Sequence, residues 1–192
     1  MKKMKYMLIA GLTVCGLQAC KGGKSNSTTD STSITTTDSA KTASADTSQT
    51  SADTQFADKA AAGGMAEVAL GKLALQKSFS ARIKNFANMM VTDHSKANDE
   101  LKGIAQKENL TLPASIDAGH QAKMDSLGKL SGKDFDKAYV SAMVDGHQKT
   151  LTLMQDEANN GKNTSLKAFA AKVAPTVKMH LDAIIKIQGE MK

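Results

Sequence analysis

The spacing of apolar residues from about residue 54 to the C-terminus is the feature that most constrains the fold of this chain. Apolar side chains recur there at intervals of three and four, which is the period of one helix face. Four of these segments are long, roughly 24–29 residues each, and a short one lies between the second and third. No segment shows the strict alternation that predicts a β-strand. The pattern predicts an all-α four-helix bundle over residues 54–192, with a short extra helix in the crossover.

Residues that favour loops separate the predicted helices. Pro113 lies in a predicted loop at residues 109–115, and Ser115 is a candidate N-cap for the short helix. The sequence NNG at residues 159–161 breaks the pattern before the last helix. Both cysteines, Cys15 and Cys20, lie near the N-terminus. No disulfide can therefore form within the predicted bundle, and its stability must come from burial and helix packing.

The N-terminal segment, up to Cys20, has the pattern of an export signal. Lys2, Lys3 and Lys5 precede a short apolar stretch, Tyr6–Leu17. This stretch is shorter than the roughly 20 apolar residues that a membrane-spanning helix needs. A cleaved signal peptide over residues 1–19 is therefore the better interpretation.

A cysteine at the end of this signal predicts attachment to a membrane. The sequence LQAC at residues 17–20 resembles a bacterial lipobox, in which a small residue precedes the cysteine that receives the lipid. Cys15 is a poor alternative because Val14 stands where a small residue is needed. The resemblance implies lipidation of Cys20, and several buried acyl chains make a stable anchor. We therefore expect a membrane-anchored lipoprotein of the cell envelope, in the outer membrane or on the periplasmic face.

Residues 21–53 have the composition of a flexible spacer. Just over half of them are Ser or Thr, and Ile34 is the only large apolar residue among them. Such a segment cannot bury enough apolar surface to offset its ordering entropy. We predict that residues 20–53 form the lipidated cysteine and a disordered tether with a mean reach of roughly 30 Å.

Each long predicted helix carries one polar residue on its otherwise apolar face. Counted from the turns that join the helices, these residues lie at similar heights, to within roughly one helical turn. We therefore expect them to converge near the middle of the bundle. They are Glu67, His94, His147 and His180. The remaining histidine, His120, lies on the short connecting helix and has no such position.

The four converging residues have two interpretations. Three imidazoles and one carboxylate suit a single transition-metal ion such as Zn, Mn, Fe or Cu, and a buried carboxylate is costly unless it is paired or coordinated. Alternatively, Glu67 pairs with a histidine or with a lysine such as Lys178, and the set forms a hydrogen-bond network without a metal. Residue type and spacing leave both interpretations open, because the chain contains no contiguous metal-ligand motif.

The neighbours of the histidines narrow the metal hypothesis. Ferritin-like di-iron sites place a Glu three residues before a His, whereas valine holds that position before all three histidines. A single ion is therefore favoured. Met90 and Met143 precede two of the histidines by four residues and share their helix faces. Thioether with imidazole suits copper, but methionine also fills gaps in bundle cores, and we favour that simpler explanation.

Several segments, taken in order, resemble those of the bacterial domain of unknown function 4142 family, which is described as predicted outer-membrane proteins with a ferritin-like bundle. The segments are GMAE at residues 64–67, MMVTDH at 89–94, FDKAY at 135–139, and the stretch from Pro175 to Leu181. The resemblance covers about residues 54–190. It implies a ferritin-like fold and an envelope location, and it brings no established activity, substrate or metal.

Composition and motifs argue against two classes of function. The net charge of +6 comes mainly from five lysines at or before Lys24, since the other Lys and Arg residues almost balance the 19 Asp+Glu. With 4% aromatic residues, the chain lacks the basic and aromatic track that binds nucleic acid. No nucleophile elbow, catalytic cysteine or phosphate loop indicates a hydrolase. We expect a binding protein for one metal ion or, alternatively, a structural or stress-related envelope protein that contacts a partner or the cell wall.

Overall fold

The computed structural model describes residues 45–191, and within this range the chain forms five α-helices and no strand. The helices are α1 (Ala45–Lys77), α2 (Ala81–Lys107), α3 (Ala118–Gly128), α4 (Gly132–Asn160) and α5 (Thr164–Glu190). The predicted all-α four-helix bundle, with a short helix in the crossover, is confirmed. None of these helices combines the length and hydropathy that a membrane span requires. The predicted signal peptide, Cys20 and the predicted tether up to residue 44 lie outside the described residues.

The four long helices pack so that each is antiparallel to two neighbours. α1 and α2 form one hairpin, and α4 and α5 form a second. The hairpins meet along two seams, α1–α4 and α2–α5. Along the α2–α5 seam, Arg82 pairs with Glu190 and Glu100 pairs with Lys172, so the two helices run in opposite directions. The crossover through α3, which packs against α1 and α4, therefore returns the chain so that α4 runs parallel to α2.

Apolar side chains fill the bundle interior in two clusters. The Phe135 cluster contains Phe135, Tyr139 and Met143 of α4 together with Leu70, Ile83, Phe86, Met90, Leu127, Ile184 and smaller residues. The Phe169 cluster contains Phe169 of α5 together with Phe56, Leu101, Met154, Leu166 and smaller residues. Each buried Leu or Phe side chain stabilises the fold by about 1.5–3 kcal/mol. On every long helix, the predicted polar residue lies between the part that enters one cluster and the part that enters the other.

The first helix begins before the predicted start of the bundle. α1 begins at Ala45, inside the segment whose composition predicted a tether. Residues 45–53 contain neither Gly nor Pro to end a helix, and Asp53 is buried. The Asp53 carboxylate accepts hydrogen bonds from the backbone N–H groups of Lys162 and Asn163, at 3.0 and 2.8 Å. These bonds fix α1 to the loop between α4 and α5, and composition could not predict them because the donors are backbone groups.

The short helix also begins later than predicted. Asp117, and not Ser115, is the N-cap of α3, and its Oδ1 accepts a hydrogen bond from the backbone N–H of His120 at 2.9 Å. Its Oδ2 contacts Nδ1 of the same imidazole at 2.7 Å. The predicted break at residues 159–161 is confirmed, since α4 ends at Asn160 and Gly161 is its C-cap.

Candidate metal centre

The four polar residues predicted to converge lie in one layer of the bundle, between the Phe135 cluster and the Phe169 cluster. α1 supplies Glu67, α2 supplies His94, α4 supplies His147 and α5 supplies His180. Glu67 is 7% exposed, and the three histidines are 6%, 1% and 1% exposed. Their common height follows from the antiparallel packing, because residues at equal distances from a turn face one another across a hairpin.

The three histidines form one compact cluster. One ring nitrogen from each of His94, His147 and His180 lies within 4.8 Å of the corresponding nitrogen of the other two. The ring centroids are 5.4 to 5.7 Å apart. Phe86 packs edge-on against His147 and His180, with ring centroids 6.0 and 6.5 Å away. The imidazoles therefore face one another in a largely apolar environment, where electrostatic interactions are stronger than in water.

Two of the histidines are oriented by hydrogen bonds from the ring nitrogen on one side. Nδ1–H of His147 donates to the carbonyl oxygen of Met143, at 2.8 Å. Nε2–H of His180 donates to Oδ2 of Asp93 on α2, at 3.0 Å. Each donation places the proton on that nitrogen and leaves the other nitrogen of the ring with a free lone pair. Metal-binding histidines in proteins usually have such a partner on the nitrogen that does not bind the metal.

Three ring nitrogens, one in each histidine, are buried and have no hydrogen-bond partner. They are Nε2 of His94, Nε2 of His147 and Nδ1 of His180. A buried polar atom without a partner costs on the order of 1–3 kcal/mol, so native structures contain few of them. Together with Oε2 of Glu67, which is also buried without a partner, the layer has four such atoms. The three ring nitrogens fit a shared cation, which would accept their lone pairs. The donor set therefore fits the predicted metal ion.

Burial keeps the imidazoles neutral at physiological pH. The pKa of His94 falls from 6.5 to about 3, because burial disfavours its charged form and because His147 and His180 are close. Burial likewise lowers the pKa of His147 to about 4. Burial also lowers the pKa of His180, although Asp93 opposes the shift. Neutral imidazole is the form that binds metals, so the cluster is ready to bind at neutral pH without releasing protons.

Glu67 lies beside the histidine cluster rather than within it. Its Oε1 is 3.9 Å from Nδ1 of His147, the nitrogen that donates to Met143. Burial raises the pKa of Glu67 to about 7, while Lys123 on α3 opposes the shift. Because the pKa of His147 is far below that of Glu67, this contact is not an ion pair at neutral pH. The structure thus brings three of the four predicted residues into one cluster and places Glu67 at its edge, and His120 lies apart on α3.

Two groups that orient the histidines were not predicted from the sequence. Asp93 directly precedes His94 and shares the MMVTDH segment with it. Because metal-binding histidines often bond a carboxylate, the position of Asp93 next to a candidate ligand could have predicted that it orients one of the histidines. The carbonyl of Met143 gave no signal, because every residue has one and only the structure shows which histidine it contacts.

The fold is shared with several solved structures. A DUF305 fragment from Deinococcus radiodurans matches with a TM-score of 0.65 and 12% identity, over 72% of this chain and 96% of that chain. CopM in its Cu(II)-bound form matches with a TM-score of 0.63 and 16% identity, over 73% and 97%. A DUF305 protein from Streptomyces coelicolor gives 0.63 and 14%, over 73% and 92%. At these identities the likeness shows a common helical-bundle fold.

Sequence comparison places the chain in a family. Among curated proteins, none matches this sequence. The family model of the Domain of unknown function (DUF4142) matches residues 38–187, which is most of the chain and includes Glu67 and all three clustered histidines. The resemblance found in short segments of the sequence is therefore confirmed, and the chain belongs to the DUF4142 family.

Proposed function

We propose that this protein binds one copper ion in the core of its helical bundle, through His94, His147 and His180. The observation that carries the proposal is the convergence of three buried, neutral imidazoles, with one ring nitrogen of each within 4.8 Å of the other two. Each of them has one buried ring nitrogen without a partner. A bundle built only for stability would bury apolar side chains in this layer, as it does on either side of it.

The ligand set that the geometry favours is three histidines, with Glu67 as a neighbour. The carboxylate of Glu67 approaches the side of His147 that donates to Met143, which is opposite the unpartnered Nε2. In this position Glu67 balances the charge of a bound cation and limits movement of the His147 ring. Asp93 has the corresponding place beside His180. His147 and His180 therefore each have a carboxylate next to the ring nitrogen that does not bind the ion.

Copper is the ion that this ligand set suits best. Three imidazoles with an open position can hold zinc as well as copper, so the choice of copper rests on its order of affinity and on the likeness to CopM. Among divalent ions, Cu(II) has a higher affinity than Zn(II) for nitrogen ligands. CopM, which has the same fold, has been solved in Cu(II)-, Cu(I)- and Ag-bound forms.

The unpartnered nitrogens also count against the alternative of a metal-free hydrogen-bond network. A satisfied network would give each buried imidazole two partners. Among the residues that the structure describes, His147 and His180 each have a hydrogen-bond partner on one side of the ring and none on the other. The layer therefore supports a metal centre better than a metal-free network.

Metal analysis of a matched pair of variants tests the proposal. The chain, purified without a histidine tag, is loaded with copper under reducing conditions, dialysed and measured by plasma mass spectrometry. Wild type should retain about one copper per chain. His147→Ala should bind copper at least about 100-fold more weakly, because one of the three ligands is removed. His120→Ala is the control, because this imidazole lies on the surface of α3 and bonds only Asp117.

Three results would contradict the proposal. Unchanged copper retention in His147→Ala would show that the ion binds elsewhere. A wild-type chain that takes up none of Cu, Zn, Mn or Fe would make the layer a structural network. Retention of zinc in preference to copper would show that the layer is a metal centre but that its ion is zinc.

We further propose that the bundle is attached to an envelope membrane by a lipid on Cys20. The LQAC segment at residues 17–20 supports this location. Cys20→Ala should move the protein from the membrane fraction to the periplasmic fraction. Cys15→Ala is the matched control, since Val14 makes this cysteine a poor lipidation site. Loss of membrane association in both variants, or in neither, would count against lipidation at Cys20.

A further inference from the structure

The buried position of the three histidines raises the question of how an ion reaches them. A groove of about 390 Å³ runs along the α2–α5 seam, and His94 and His180 both line it. The grooves of about 300 and 480 Å³ elsewhere on the described bundle have no histidine in their walls. An interior cavity beside Glu67 and His94 has room for about 30 Å³ only. Of these two cavities beside the histidines, the α2–α5 groove is the one with room for an incoming ion and its ligands.

The α2–α5 groove is bounded by side chains that can move at low cost. Glu100 and Lys172 form an ion pair across the seam at 2.8 Å, and their side chains are 36% and 69% exposed. Exposed ion pairs contribute little to stability, typically about 0–1 kcal/mol. Deeper in the groove, Asp93 contacts His180, and the Asp93 side chain is 28% exposed. The two carboxylates of the wall, Asp93 and Glu100, are matched by Lys96 and Lys172, so any selection of the ion must come from its ligands and not from net charge.

A methionine at the rim of this groove has the chemistry to capture copper. Met179 lines the groove and is 50% exposed. Within the described residues, only Phe79 and Ile185 are comparably exposed among large apolar side chains, and neither lines this groove. Thioether sulfur is a soft ligand that favours Cu(I) and, by the same chemistry, Ag(I).

We propose that the α2–α5 groove is the port through which copper reaches the core, and that Met179 is the capture ligand at its rim. This inference rests on the proposed copper centre. The transfer is a ligand exchange without redox chemistry. A sulfur–Cu(I) bond to Met179 forms as a ligand of the incoming complex leaves, and it breaks as the free lone pairs of His180 and His94 bind the ion. The ion stays monovalent, and no proton moves.

A capture ligand has a kinetic signature that a structural residue lacks. Because the route in is also the route out, removing the ligand slows uptake and release by the same factor. The equilibrium affinity, which depends on the three histidines, is unchanged. A residue that merely supports the bundle would change affinity or stability instead.

Stopped-flow measurement of silver uptake tests the port. Ag(I) is used as a probe that does not change oxidation state, and a fluorescent chelator reports its free concentration during binding to and release from the full chain in mild detergent. In Met179→Leu, both rates should fall by about tenfold while stoichiometry and Kd stay at the wild-type values. Met65→Leu is the matched control, because Met65 lines a groove that contains no histidine.

A second variant tests the port without changing Met179. Thr176 lines the same groove on α5, and Thr176→Phe should narrow it and slow both rates without changing Kd. Wild-type rates in both variants would overturn the port, and a changed Kd in Met179→Leu would overturn the capture role. If the wild-type chain takes up neither silver nor copper, the proposed function fails with it, and this is seen in the stoichiometry before any rate is measured.

Discussion

The two seams that α2 makes with its neighbours are built in different ways. Toward α1, the helices approach closely at Gly71, where a Cβ atom would lie 2.9 Å from Cγ2 of Val91 and 3.0 Å from the carbonyl oxygen of Ala87. Toward α5, the seam has a groove and is joined by polar pairs such as Glu100 and Lys172. The α1–α2 seam is close-packed at Gly71 and has a groove farther along, at Met65 and Lys102, that contains no histidine. The α2–α5 seam is open beside His94 and His180 themselves.

This difference explains how α2 can hold His94 in a fixed position and still leave a route by which an ion can reach it. The close-packed α1–α2 seam fixes the position of α2, and therefore of His94, because well-packed interfaces resist small displacements. The α2–α5 seam leaves the other side of the histidine layer near solvent. A buried site needs both properties, since its ligands must be preorganised and its ion must be able to exchange.

Acidification should have the largest effect on the layer between the two seams. The pKa of His94 is lowered from its ordinary value of 6.5 to about 3 in the folded protein, because of burial and the two neighbouring histidines. The unfolded chain therefore binds more protons below pH 6.5, and the contribution of His94 to stability, fully present above that pH, is lost as the pH falls toward 3. The slope reaches about 1.4 kcal/mol per pH unit.

Urea unfolding of wild type and His94→Leu, at several pH values between neutral and about pH 4, measures this contribution. Relative to the variant, wild type should lose about 3 kcal/mol of unfolding free energy. Glu67, whose pKa is raised and whose contribution has the opposite sign, is present in both chains. Parallel pH profiles for the two chains would show that His94 is not held neutral by the fold.

A methyl group added at the close-packed seam should have the next largest effect. Gly71→Ala places a carbon against Val91 and the backbone of Ala87, and such overpacking should cost about 2 kcal/mol. The matched variant is Gly63→Ala, where nothing lies within 4 Å of the added carbon. That change should stabilise the helix by about 0.5–1 kcal/mol. Thermal unfolding of both variants decides the comparison, and shifts of the same sign would argue against close packing at Gly71.

Removing an ion pair from the open seam should have the smallest effect. Glu100→Gln breaks the exposed pair with Lys172, and we expect a loss below about 0.5 kcal/mol in chemical unfolding. Asp182→Asn, which breaks an exposed pair with Lys178 within α5, is the control. A loss well above that of the control would show that the seam is clamped by this pair, which would weaken its assignment as a port.

The helical bundle could be predicted from the sequence because its signal is repeated many times. The three-and-four spacing of apolar residues continues through every long helix, so a single unusual residue does not obscure it. The cap of α3 and the attachment of α1 to the loop between α4 and α5 were missed because each depends on a single side chain. Asp53 and Asp117 have the same residue type as many surface carboxylates, and only their hydrogen bonds distinguish them.

The height of the histidine layer in the bundle could be predicted from the sequence, but the contacts between its side chains could not. Counting residues from the turns places His94, His147 and His180 at one height, because helix rise is constant. The same count places Glu67 at that height, but it cannot show that its carboxylate lies behind His147. Rotamers and backbone partners decide which side chains converge, and these depend on packing that no spacing rule contains.

The polar pairs across the α2–α5 seam also mark the alignment of the two hairpins, which the buried polar layer sets. Three residues of α2 have their partners in reverse order along α5, and the spacings on the two helices agree closely. The pairs are Arg82 with Glu190, Asp93 with His180, and Glu100 with Lys172. A shift by one turn, about 5.4 Å, would break all three pairs at once and press the polar layer against an apolar cluster. Apolar faces alone tolerate such slips, so the histidine layer makes one alignment of the hairpins unique.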